Sequence, residues 1–96
     1  MYKIVGLTDL DGVSKDERLR YIEEKYSLYG SFFYDCFYRL QKGFSFGFVY
    51  DGDSDKMLKS STIKDVDYVE KDKLYIITTR NSIYYIKEVD NEDIER

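Results

Sequence analysis

The sequence predicts an α+β fold, in which an N-terminal strand and one helix precede five or six antiparallel strands that form a curved sheet or small barrel. Three observations carry this expectation. Residues 2–7 are short, apolar and partly β-branched; a helical period runs through residues 15–29; and from Ser31 onward apolar side chains recur at every second position between hairpin-length polar breaks.

The first strand, Tyr2-Lys-Ile-Val-Gly-Leu7, ends near Thr8, where Asp9-Leu-Asp-Gly-Val13 supplies turn residues. Ser14 and Glu17 have the spacing of a capping box, with the Ser14 hydroxyl and the Glu17 carboxylate each satisfying the other's backbone amide, so a helix is expected from Lys15. Leu19, Ile22, Tyr26 and Tyr29 fall on one helical stripe, and Gly30 offers a left-handed C-cap.

From Ser31 the period shortens to two. Phe32, Tyr34, Cys36, Tyr38 and Leu40 alternate with Phe33, Asp35, Phe37 and Arg39, which predicts a strand, and Gln41-Lys-Gly43 is a hairpin-sized break. Residues 44–50 follow, with Phe44, Phe46, Phe48 and Tyr50 on one face, and end at the tight loop Asp51-Gly-Asp-Ser-Asp55. Residues 56–62 are polar and weakly patterned as a strand, residues 63–69 form another, and Glu70-Lys-Asp-Lys73 is a charged turn. Residues 74–79 and 82–89, joined at Arg80-Asn81, are rich in β-branched and aromatic residues and predict a hairpin whose second arm is a sheet edge open to another copy. Residues 1–89 therefore read as a single α+β domain, and residues 90–96 as an acidic tail.

With 96 residues, one core is the limit, so the 11 Tyr and 6 Phe matter disproportionately. The net charge is −4; Lys and Arg balance Asp and Glu at 7 against 7 through Tyr50, then fall to 8 against 12. An acidic chain argues against DNA, RNA or an anionic membrane as bulk partners, because those rest on a positive surface that releases counterions. A basic protein partner fits.

His is absent and Cys36 stands alone, which removes the usual nucleophile–base pairs, zinc sites and imidazole catalysis, and no cofactor site is visible. The expected protein is not an enzyme. Cys36 excludes an internal disulfide and reads as a buried thiol in a reducing compartment. No leader pattern and no membrane-length apolar run occur, so a cytoplasmic location is expected. Asp51, Asp53 and Asp55 resemble the start of a calcium loop, but Lys56 stands where its Gly is needed and Thr62 where its closing Glu is needed. A hairpin loop is expected, with no metal.

Phe46-Gly47-Phe48-Val49, preceded by a strand and helix in the matching order, resembles the centre of the longer signature of the RNA-recognition motif family, over roughly the first fifty residues. That resemblance implies single-stranded RNA binding, with Phe46 and Phe48 stacking bases. The pattern departs where Phe44-Ser45 replaces a basic-Gly pair, Asp51 replaces an aromatic, and Ile4-Val5-Gly6-Leu7 lacks the partner motif's aromatic. Alternation also opposes it: exposing the four aromatics would make Ser45, Gly47, Val49 and Asp51 the core, whereas burying each aromatic stabilises by about 1.5–3 kcal/mol.

Arg39-Leu-Gln-Lys-Gly43, the aromatic strand, Lys59-Ser-Ser-Thr62 and Thr79-Arg-Asn-Ser-Ile-Tyr84 resemble small β-rich proteins of phages and other mobile elements in AT-rich Gram-positive bacteria. This resemblance implies a protein that binds and blocks a host protein, including defence nucleases. The acidic residues give the idea a physical form. Asp65 and Asp67 project from the same side of a strand about 6–7 Å apart, and Asp51, Asp53 and Asp55 add to a negative surface that a nucleic-acid-handling partner would accept in place of phosphates. Self-assembly through a sheet edge is the remaining alternative.

Overall fold

Inward-pointing aromatic and β-branched side chains draw seven strands into one antiparallel sheet around a single helix, in a computed structural model that describes residues 1–52 and 55–90. The chain runs β1 (Tyr2–Thr8), α1 (Asp16–Lys25), β2 (Tyr29–Phe33), β3 (Gly47–Tyr50), β4 (Met57–Lys59), β5 (Ile63–Val69), a 3₁₀ turn (Glu70–Asp72), β6 (Leu74–Thr79) and β7 (Ile83–Glu88). The spatial order is β4-β3-β2-β1-β7-β6-β5, an α+β arrangement weighted toward strand.

The sheet is strongly curled but not closed into a barrel. β2 and β6 are separated by β1 and β7, a spacing of about 14 Å in a flat sheet, yet the Phe32 and Tyr75 rings meet with centroids 5.7 Å apart. The two edge strands, β4 and β5, are consecutive in the chain with only Ser60, Ser61 and Thr62 between them. Twist of about 20–25° per strand, summed over six steps, swings one edge round toward the other and lets so short a link join them. Ile63, at the start of β5, donates to the Phe44 carbonyl and accepts from the Gly43 amide, at 2.7 and 3.0 Å, which ties β5 to the segment leading into β3.

The concave side is the core. Ile4, Phe46, Phe48, Tyr50, Leu58, Ile63, Ile77 and Ile86 are buried there, and α1 lays Ile22 across them. Phe46 is 1 % and Phe48 0 % exposed, with Phe32 edge-on to both rings at 6.1 and 6.0 Å. The aromatic face of residues 44–50 thus points inward, as its alternation with small and polar residues requires. Phe46 and Phe48 offer no ring face to a base, so stacking of RNA on these two side chains has no platform.

Several local expectations are corrected. The capping box does not form: the Lys15 amide donates to the Leu7 carbonyl at 2.8 Å, which draws Ser14 into a bridge with Thr8, and the Ser14 hydroxyl turns to the Asp16 carboxylate. Gly30 is not a helix cap. The helix ends at Lys25, Tyr26 stacks on Tyr50 at 4.6 Å, and Gly30 lies buried in β2, where a Cβ would sit 2.2 Å from the Val49 carbonyl oxygen and 2.6 Å from the Phe48 ring. Glycine is demanded by close approach rather than by a left-handed turn.

The predicted strand over residues 32–40 stops at Phe33. Asp35 accepts from the Phe37 and Tyr38 amides at 2.7 and 3.0 Å and turns the chain, which leaves Phe37 71 % exposed and Cys36 exposed as well, not buried. β7 is no edge: it lies between β1 and β6, because Tyr2 through Thr8 pair along it. The edges are β4 and β5.

Candidate functional site

Seven residues long, β5 is the longer of the two edges, and its side chains alternate between two faces. Ile63, Val66 and Tyr68 turn toward the sheet interior; Ile63 is buried, Val66 packs on the core, and Tyr68 leans on Tyr75 with centroids 4.7 Å apart. Asp65 and Asp67, opposite Thr78 and Ile76 of β6, lie on the other face and are exposed. Strand period puts both carboxylates on that one side, and a bulge between Ile63 and Asp65 breaks the alternation so that Ile63 falls on the opposite, buried face.

The free margin of β5 is available backbone. Ile63 is engaged by Gly43 and Phe44, but among the described residues no backbone hydrogen bond covers the outer margin from Lys64 to Val69. Edges of this kind take up a further strand unless charge discourages it. Tyr68, 45 % exposed, marks the inner rim of the same edge, where Tyr2, Phe32, Tyr34 and Tyr75 gather. Burial raises the Tyr2 hydroxyl above the ordinary tyrosine value, and Tyr75, Glu88 and Tyr68 add to the effect.

The acidic residues belong to two elements, the β3–β4 turn and β5. Asp51 and Asp55 are exposed in the β3–β4 turn, beyond the opposite edge strand, and Asp53 lies outside the described residues. Among the described residues no three acidic or thiol groups gather as a metal site. The β5 pair, set on one strand beside open backbone, is the candidate site.

A second feature escaped the sequence pattern. Lys15, Arg18, Lys56 and Lys59 converge beside the helix, from positions up to 44 residues apart that share no motif. Only the curl that returns β4 to the helix side unites them. Among the described residues no helix is long and apolar enough to cross a membrane. Comparison of the chain with protein-family models, with curated proteins and with solved structures returns no significant match.

Proposed function

We propose that the chain is a non-enzymatic protein-binding module that docks a basic partner along the β5 edge. The observation that carries the proposal is the combination of open backbone from Lys64 to Val69 with two exposed carboxylates on one face of that strand. An extended partner segment would pair with the edge by main-chain hydrogen bonds, and Lys or Arg side chains at alternate positions would meet Asp65 and Asp67. A nucleic-acid-handling protein supplies such a segment, because its surface is already built to receive regularly spaced anions. Inhibition of that partner, in the manner of phage-borne blockers of host defence, is the biological form of the proposal.

Self-assembly through the same edge is disfavoured by the same residues. A second copy paired antiparallel about Val66 would set Asp65 opposite Asp67 twice, and like charges directly opposite are destabilising. The RNA alternative loses its two stacking residues to the core.

Capture from extracts of the native host tests the proposal, with Asp65→Asn/Asp67→Asn and Asp51→Asn/Asp53→Asn/Asp55→Asn as separate baits. Wild type is expected to retain a basic protein that the β5 pair variant loses and that elutes as salt rises toward 1 M, where the Debye length falls to about 3 Å. No retained partner, or one indifferent to both variants, overturns it.

A further inference from the structure

We propose a second binding site, for a nucleoside monophosphate, in the groove between α1 and β4. It is independent of the β5 edge, so either site can fail without the other. Two adjacent cavities of about 290 and 270 Å³ share Arg18 and Lys59 as a common wall. The first adds Lys56 and the rings of Tyr21, Tyr26 and Tyr50; the second adds Lys15, Ser61, Ser82 and Tyr84. Among the described residues no carboxylate lines either cavity, in a chain where Asp and Glu outnumber Lys and Arg by 19 to 15. Four cations thus line the groove with no acidic residue among the lining, on an acidic protein.

One of the cations is anchored by a hydrogen bond. The Lys15 ammonium donates to the Ser82 hydroxyl at 2.7 Å, which ties it to the lining of the second cavity with two further N–H donors on the same ammonium. Arg18 stands between the two lobes and acts on the hydroxyls of both: burial pushes Tyr50 and Tyr84 above the ordinary tyrosine value, and Arg18 pulls each back. A phosphate seated at Arg18 and Lys59 would receive charge-assisted hydrogen bonds from both, with Lys15 and the Ser61 hydroxyl within the adjoining lobe.

The other lobe selects an aromatic body. Tyr26 is stacked on Tyr50 with planes 7° apart, and Tyr21 stands edge-on to Tyr26 at 83° while half its own surface faces solvent. A base lying on Tyr21 would complete that arrangement, because every base offers a π-face to an aromatic side chain. The two cavities together fall within the size range of small-ligand sites. Net charge explains why the ligand is a mononucleotide and not a strand. A long polyanion feels the whole acidic chain, whereas a single phosphate responds to charges within a Debye length of about 8–10 Å.

Titration of the full chain with AMP at low ionic strength, followed by backbone amide shifts, tests the site. Saturable shifts confined to residues around Arg18, Tyr21 and Lys59 are expected, with adenosine and inorganic phosphate each binding more weakly than AMP. Arg18→Gln/Lys59→Gln, two exposed positions whose replacement leaves the melting midpoint in place, should weaken AMP binding about tenfold or more. Lys71→Gln, in the remote 3₁₀ turn, should leave it unchanged. Absence of saturation with AMP, inorganic phosphate binding as tightly as AMP, or equal affinity in the Arg18/Lys59 variant would overturn the assignment.

Discussion

Truncating Phe46 to alanine tests the inward orientation of the aromatic strand. The ring is 1 % exposed and meets Tyr84 edge-on at 4.8 Å and Phe32 at 6.1 Å. Its backbone is held independently, with the amide donating to the Ser60 hydroxyl at 2.9 Å and the carbonyl accepting from the Ser60 amide at 3.0 Å. The main chain therefore stays in place and the lost ring leaves a cavity, a change that costs about 3–5 kcal/mol. At about 4–8 °C per kcal/mol for a domain of this size, the thermal midpoint falls by roughly 12–40 °C. Phe37→Ala is the internal control, because that ring is 71 % exposed, and it should change stability by no more than about 0.5 kcal/mol. Thermal melts followed by circular dichroism give both numbers. If Phe46→Ala moves the midpoint as little as Phe37→Ala, the strand does not face the core and the account of the fold is wrong.

Further outcomes follow from particular contacts. Gly30→Ala should destabilise by about 1–3 kcal/mol or more, since its Cβ would lie 2.2 Å from a backbone oxygen that cannot rotate away; an unchanged midpoint in urea would contradict the β2–β3 packing. Tyr2, Tyr50 and Tyr84 have their hydroxyls raised above 10.0 chiefly by burial, so their contribution to stability is fully present below about pH 10 and is lost as pH climbs through the folded values. Tyrosinate absorbance should go on rising at pH above 10.0 as these groups ionise, with melting midpoints falling in the same range. Cys36 is exposed, and a chromogenic disulfide reagent should modify one thiol per native chain without denaturant; protection until unfolding would place the thiol inside.

The local hairpin carried the clearest signal in the sequence. Residues 63–69 and 74–79 are strands as their alternation implies, and β7 lies within residues 82–89, because neighbouring strands joined by short turns are specified by local pattern. What the pattern could not show was the non-local pairing of β1 with β7, which turned a supposed edge into an interior strand. Residues 34–40 misled for a different reason. Their alternation is real, but the Asp35 side chain captures two backbone amides and ends the strand, a side-chain competition that periodicity does not register. Gly30 likewise has the look of a helix terminator, while its cause, the Phe48 ring and Val49 carbonyl pressed against it, lies about eighteen residues away. Of the acidic residues, Asp65 and Asp67 were legible as a same-side pair from strand period alone; their position on an open edge was not.

Hydrogen–deuterium exchange of the chain alone and in complex with its captured basic partner addresses the functional claim most directly. New protection is expected in the amides of residues 64–69, on the free margin of β5, and should vanish with Asp65→Asn/Asp67→Asn. Protection elsewhere, with residues 64–69 exchanging as fast in the complex as in the free chain, would contradict docking at the acidic edge.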